Sequence, residues 1–239
     1  MLFFIDPFGY KGISAKLINA LVKDWGSDCI FFFNFNRINA AINNSKVTSL
    51  VNAIFGESVA NLIRNEVTQL NAVEREELII DKISSVLSND NENFVLPFKF
   101  ISTKRNATSH YLIFVSKHLL GYEIMKDIMY NISSEYDCGI GSFSYISTRN
   151  RQLNFLYSLS RPLEDLKNKL LVKFSGKTFT VKQIYDLDNI NTPYVLKNYK
   201  DVLLQLEMEN KIITRPPYDE RRNYRGKKSM GNNVSITFY

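Results

Sequence analysis

The sequence predicts an α/β protein in two parts, a sheet with covering helices over residues 1–160 and a basic winged-helix-like module over residues 161–239. Three observations predict it. The apolar run Met1 to Ile5 stops at Asp6-Pro7 and is followed by Gly9 and Gly12, as when a strand enters a tight loop. A helical period and a second apolar run come next, which together make a βαβ unit. Near the other end, the order helix, helix, strand, long polar tip, strand is winged-helix order.

Residues 1–5 read as a strand buried on both faces, which belongs in the middle of a parallel sheet. Ile13, Leu17, Ile18, Leu21, Val22 and Trp25 then recur at helical spacing, with Ser14 able to cap the start and Gly26 to stop the helix. Asp28 to Phe35 is the second strand, expected parallel to the first through a right-handed crossover. From Val47 to Leu87 the apolar positions keep a helical period and predict two or three helices over the sheet, ended by Asn89-Asp90-Asn91. Phe98 to Thr103 and His110 to Ser116 read as strands joined by the polar turn Lys104 to Ser109, a hairpin adding antiparallel pairing.

A helix from Leu119 to Ser133 follows, with Ile124, Ile128 and Ile132 on one stripe and Met125 and Met129 beside them as core filler. Gly, Ser and Asn accumulate between Cys138 and Pro162, which places a domain boundary near Arg161-Pro162. Beyond it come a helix over Leu163 to Leu171, a short stretch Lys177 to Thr180 and a helix Val181 to Asp186. An amphipathic helix Pro193 to Glu209, then Ile212-Ile213, a polar run and a last strand Val234 to Tyr239 complete the pattern.

Composition narrows the function classes. Apolar residues make up 45% of the chain and aromatic ones 13%, enough to bury a core, so disorder is excluded over most of its length. Cys29 and Cys138 stand far apart, without the CxxC, CxxH or HxxxH neighbourhood that would hold a metal or begin a disulfide framework. No apolar stretch approaches the roughly 18 residues of a membrane span, and the start lacks the basic and small-residue marks of a signal peptide, so the expected location is cytoplasmic.

Asp6-Pro7-Phe8-Gly9 sits at the carboxyl end of a strand, where open α/β sheets place their crevice. The Asp6 carboxylate can accept from an exocyclic amine, Pro7 stiffens the backbone, and Phe8 offers a stacking face for a flipped base. The bland alternative is an ordinary Asp-Pro turn. The loop resembles the [Asp/Asn/Ser]-Pro-Pro-[Tyr/Phe/Trp] loop of amino methyltransferases, with the aromatic residue one position early. Residues Phe3 to Gly12, His110 to Phe114, Gly121 with Ile124 to Met129, Thr192-Pro193-Tyr194 and Leu203 to Glu207 are similar to the three-Cys-motif partner family, TcmP.

That resemblance implies a partial, methyltransferase-like Rossmann sheet, a target-amine loop at Asp6, Pro7, Phe8 and Gly9, S-adenosylmethionine as the family's cofactor, and a three-cysteine-motif protein as partner. The chain departs from the family at its front. A full-length member carries an upstream half with a Gly-rich loop and an acidic ribose ligand, and Gly139-Ile140-Gly141 cannot replace it. The resemblance therefore implies no S-adenosylmethionine binding by this chain alone. It also implies an open sheet edge, at which the chain self-associates or another polypeptide completes the sheet.

The other acid and base candidates read as structural. His110 opens a strand and His118 precedes a helix, with no nucleophile motif near either. Glu74, Glu76 and Glu77 alternate with Arg75 and Lys82 as on a solvated helix face, and Glu207 with Glu209 form the other acidic pair.

Positive charge is concentrated in the tip. Lys211, Arg215, Arg221, Arg222, Arg225, Lys227 and Lys228 stand against Asp219 and Glu220, and the whole chain carries a net charge of only +6. Tyr218 and Tyr224 interleave with the arginines, and Gly226 and Gly231 loosen the backbone, as suits a wing lying along phosphates. The alternative is a solvated basic loop. Two functions stay open at this level: an amino methyltransferase acting on nucleic acid or a nucleotide, and a non-catalytic subunit that binds DNA or RNA or serves the three-cysteine-motif partner as an accessory.

Overall fold

The computed structural model describes residues 1–6, 13–23, 26–102, 107–133, 136–137, 140–141, 144–146, 163–224 and 227–239. Trp25, the middle of the expected hairpin turn and the expected boundary at Arg161-Pro162 lie outside them. The chain divides into two compact units, Met1–Ile132 with Phe143–Arg151, and Ser133–Ser142 with Gln152–Tyr239.

The first unit begins with the expected βαβ unit. Strand β1 (Leu2–Ile5) pairs in parallel with β2 (Asp28–Phe33), and α1 (Ala15–Leu21) crosses between them, capped by Ser14, whose hydroxyl accepts from Leu17 N. Strand β2 stops two residues earlier than expected because Asn34 caps the next helix, α2 (Phe35–Ala41), with its side-chain oxygen accepting from Arg37 N. A 3₁₀ turn (Ser45–Val47) leads into α3 (Thr48–Phe55), α4 (Glu57–Glu66) and α5 (Ala72–Ser88). Helix α5 starts on a reciprocal capping box between Asn71 and Glu74 and stops on a left-handed Asn89.

Strands β3 (Phe94–Ser102) and β4 (Ala107–Ser116) form the expected hairpin, and β4 lies antiparallel to β2. Helix α6 (Leu119–Ile132) follows. Strands β5 (Tyr136–Asp137) and β6 (Ile140–Gly141) pair antiparallel within the second unit, and β7 (Ser144–Ile146) returns to the first, parallel to β3. The sheet order is β1-β2-β4-β3-β7, a mixed sheet in which a helical crossover of the Rossmann kind joins β1 to β2.

Two expectations about packing are corrected here. Strand β1 is not central but at the sheet edge, and Leu2 and Phe4 are 57% and 62% exposed while Phe3 and Ile5 pack on the main core. An all-apolar run imitates two-sided burial, but here only the face carrying Phe3 and Ile5 meets the core. On α6, Ile124, Ile128 and Ile132 face solvent. The helix instead turns Tyr122 and Met129 onto Leu96, Phe98 and Phe114, and buries Lys126 with its ammonium 5.5 Å from the centre of the Tyr122 ring. Gly121 permits that approach, since a Cβ there would stand 2.9 Å from Ser116 Oγ. Cys29 is buried in the main core, where desolvation pushes its thiol up to about 11.

The second unit holds α7 (Leu163–Lys173), β8 (Thr178–Thr180), α8 (Val181–Asp188), α9 (Leu196–Met208) and β9 (Ile212–Arg215). A 3₁₀ turn (Tyr218–Glu220), the small ribbon β10 (Asn223–Tyr224) with β11 (Lys227–Lys228), and β12 (Ser235–Phe238) follow. Strand β12 pairs antiparallel with both β8 and β9. Three helices and a three-stranded sheet with a long excursion between its last two strands form a winged helix. Its core joins Leu166, Leu170 and Phe174 of the first helix region to Val181, Ile184, Tyr199, Val202 and Leu206, and closes on Ile236 and Phe238.

No helix among the described residues is long and apolar enough to cross a membrane.

Candidate nucleic-acid interface

The helices of the winged helix are fixed to one another by one carboxylate. Asp188 ends α8 with its side chain fully buried. It accepts from Tyr199 Oη of α9 at 2.8 Å and pairs with Lys173 and Lys169 of α7 at 2.6 and 2.9 Å. Burial alone would raise its pKa, but the two lysines and Tyr199 outweigh that, and Asp188 titrates below the usual carboxylate range. Tyr199 is driven the other way, first by burial and then by the neighbouring charge of Asp188. Tyr185 and Tyr194 meet Tyr199 edge to face, so the turn between α8 and α9 closes over aromatic contacts. Helix α8 itself starts on a capping box of Thr180 and Gln183.

The wing is anchored in the same manner. Arg221 is only 7% exposed, and its guanidinium pairs with Glu207 of α9, reaches Met230 Sδ at 3.3 Å and lies 5.6 Å from the centre of the Tyr218 ring. Thr214 of β9 donates to the same Glu207. The expectation that Arg221 lines the ligand-facing tip is therefore corrected. Glu207 draws its charge inward, and Arg221 ties the root of the wing to α9. The Tyr218 ring also carries Lys228, 5.8 Å from its centre, whose ammonium donates to the Asp219 carbonyl.

Sorting the cations by partner isolates the candidate surface. From residue 163 onward the sequence has fourteen basic and nine acidic side chains. Lys167 pairs with Glu209 and Glu164, Lys169 and Lys173 with Asp188, Lys182 with Asp186, Lys211 with Glu209, and Arg221 with Glu207. Among the described residues Lys177, Lys197, Lys200, Arg215, Arg222 and Lys228 have no acidic side-chain partner. Five of these six lie on α9 or in the wing segment, the exception being Lys177 before β8.

Lys197, Arg215 and Arg222 are exposed. Lys200 is half-buried, and desolvation lowers its pKa. Lys197 and Lys200 were not among the sequence candidates, although their spacing of three on a helix puts them on one face. Of the remaining candidates, Tyr224 and Lys227 stand on the ribbon of the wing, and Arg225 is outside the described residues.

The first unit brings fewer of the candidates together. Asp6 ends β1 and is exposed, while Pro7, Phe8 and Gly9 are outside the described residues. His110 lies at the same end of the sheet, stacked between Phe32 and Phe100 with ring centres 4.6 and 4.5 Å away, and its Nδ1 is 2.6 Å from Ser109 Oγ. Burial lowers its pKa against the opposing charge of Asp6, so this is a neutral ring in an aromatic ladder across the strands.

Glu76 departs from the solvated helix face expected of it. Its Oε1 accepts from Thr108 at 2.6 Å and Tyr111 at 2.5 Å and pairs with Lys99 at 2.9 Å. Burial works to raise its pKa, and those three partners bring it below its ordinary value. Glu207 and Glu209 are likewise engaged with Arg221 and with Lys167 and Lys211. No group of three or more His, Cys, Asp or Glu side chains that could hold a metal is found among the described residues.

The βαβ unit ends its second strand on a capping amide rather than an acid. A dinucleotide-type site needs an acid at the end of the second strand to hold the ribose, and here that position is Asn34, whose side chain caps α2.

A family model described as a GMT-like wHTH domain, wHTH denoting a winged helix-turn-helix, matches residues 144–219. The match runs from β7 through α7, α8, α9 and β9 into the 3₁₀ turn at the root of the wing. No curated protein matches the chain. No solved structure matches it either.

Proposed function

We propose that the second unit binds duplex DNA, with α9 facing a groove and the wing lying along the backbone. The observation that carries this is the sorting of the cations, since those not neutralised by a neighbouring carboxylate gather on α9 and the wing segment. The similarity of residues 144–219 to a winged helix-turn-helix family supports the same reading. Winged helices also serve protein contacts, and a protein-binding surface has no need of unpaired cations on both of these elements.

Lys197 and Lys200 on α9 with Arg215 and Arg222 on the wing segment supply separate phosphate contacts, each releasing condensed counterion when it forms. Duplex DNA is favoured over duplex RNA because the major groove of B-form DNA admits a helix, whereas that of A-form RNA is too deep and narrow for side chains to read. The Glu207–Arg221 pair and the Asp188 cluster act indirectly. They fix the wing and α9 so that their cations are held in place before DNA arrives, which lowers the entropy cost of binding.

Fluorescence anisotropy of the full chain on a labelled duplex tests this. Replacing Lys197, Arg215 and Arg222 with Ala is expected to weaken binding to all sequences by about tenfold or more. Unchanged affinity in that variant removes α9 and the wing from the DNA surface and makes protein contact the better reading.

A further inference from the structure

A second cationic site lies in the first unit, at the end of the sheet opposite Asp6. A pocket of about 340 Å³ opens there between α1, the connection from α5 to β3, and the end of β4. Lys16 and Lys23 line it from the α1 side and Lys117 from the end of β4, with Asn19 and Asn93 among the lining residues and Glu92 as the one acid. That is a surplus of two positive charges in one concavity, in a unit that otherwise contributes little to the net charge.

Capping of the helix ends does not account for the lysines. At the end of α1 the carbonyl of Ile18 receives Val22 N, that of Ala20 receives Lys23 N, and that of Lys23 receives Lys117 Nζ at 3.4 Å. At the end of α5 the carbonyls of Val86 and Leu87 receive the side-chain amides of Asn19 and Asn93, and that of Ser88 receives Asn93 N. Every one of these acceptors is served without the side chain of Lys16 or Lys23. Nor does an ion pair hold either lysine among the described residues, and Glu92 accepts from Asn89 Nδ2 at 2.8 Å.

Like charges facing one concavity repel unless an anion lies between them. The amides of Asn19 and Asn93, tied to each other at 3.3 Å and to α5, give the wall a fixed polar surface. The volume sits at the lower end of ligand pockets, which run from about 300 to 1,000 Å³. Two surplus positive charges match one phosphate dianion, and lysine binds phosphate as a point charge.

We infer that this pocket binds a small phosphoanion, of the size of phosphate or pyrophosphate. A DNA backbone is the poorer fit, since phosphates on the convex surface of a duplex are met by protruding side chains rather than by a recess.

The test uses isothermal titration calorimetry of the full chain with sodium pyrophosphate and with inorganic phosphate, at constant ionic strength and with chloride as the competing control. Lys16→Ala with Lys23→Ala is the diagnostic variant, because both side chains are exposed and the fold does not depend on them. Saturable binding that weakens about tenfold or more in the double variant, and stays unchanged in Lys177→Ala, supports the site. No saturable heat up to ~10 mM pyrophosphate, or equal binding in the double variant, overturns it. Loss of duplex DNA affinity in the double variant, with no phosphoanion binding by the wild type, also overturns it and assigns the pocket to the nucleic-acid surface. Circular dichroism of each variant confirms that the folded protein is being compared.

Discussion

The arginines of the wing should divide sharply when each is removed. Arg221 and Glu207 form a buried pair, with side chains 4% and 12% exposed, and Glu207 retains only Thr214 as a partner if Arg221 is cut to Ala. Breaking a buried pair from one side leaves an uncompensated charge and costs about 3–5 kcal/mol. For a domain of this size each kcal/mol moves the melting point by about 4–8 °C, so Arg221→Ala should lower the transition of the second unit by about 12 °C or more. Arg222 is exposed with no acid partner, and Arg222→Ala should stay within about 0.5 kcal/mol of the parent. Replacing the pair together, Glu207→Leu with Arg221→Met, should recover most of the loss, because two apolar groups of similar size leave no stranded charge. Differential scanning calorimetry of the four proteins makes the comparison. If Arg221→Ala and Arg222→Ala melt together, Arg221 is not the anchor of the wing.

Other consequences concern titration and reactivity. The pKa of Asp188 is lower folded than unfolded, so its contribution is present above the ordinary aspartate value of about 3.9 and disappears as pH falls through the folded value. Denaturant melts of the second unit should therefore weaken steeply below about pH 4. Asp188→Asn should cost about 1–3 kcal/mol at pH 7 and flatten that acid limb, whereas parallel pH profiles for the two proteins would exclude the Asp188 cluster as its cause. Cys29 is fully buried with its thiol pushed up to about 11, so in a Cys138→Ser background a maleimide at pH 7.5 should label it only as the protein unfolds. Labelling within minutes under native conditions would show that the core around Cys29 opens readily.

Much of the fold was legible because its elements carry their own start and stop signals. Ser14 caps α1 as expected, Asn89 ends α5, and the winged-helix order follows from α8, α9 and the last strand, each with a clear period. What could not be read was which face meets what. The run Met1 to Ile5 looks the same whether one face of the strand meets the core or both do, and here only the face carrying Phe3 and Ile5 does. The Ile124, Ile128 and Ile132 stripe has the right spacing for a core face, yet α6 turns a face with Tyr122 and Lys126 inward, which only the three-dimensional contacts reveal.

Charges were misjudged for a related reason. Arg221 and Glu76 sit in stretches of alternating sign, which in sequence look solvated, while their partners Glu207, Lys99 and Thr108 come from other elements. Lys197 and Lys200 carry no charge signal in the sequence, because α9 as a whole is balanced by Asp201 and Glu207.

The salt dependence of DNA binding tests the proposed function most directly. Anisotropy titrations of the full chain on one duplex, repeated from about 50 to 200 mM salt, should show affinity falling steeply, since each neutralised phosphate adds about 0.9 to the log–log slope. Lys197→Ala, Arg215→Ala and Arg222→Ala combined should lower that slope by up to about one unit per lost contact, without changing the melting point beyond a few degrees. Equal slopes for the wild type and the triple variant, or binding that ignores salt, would contradict a surface made of α9 and the wing.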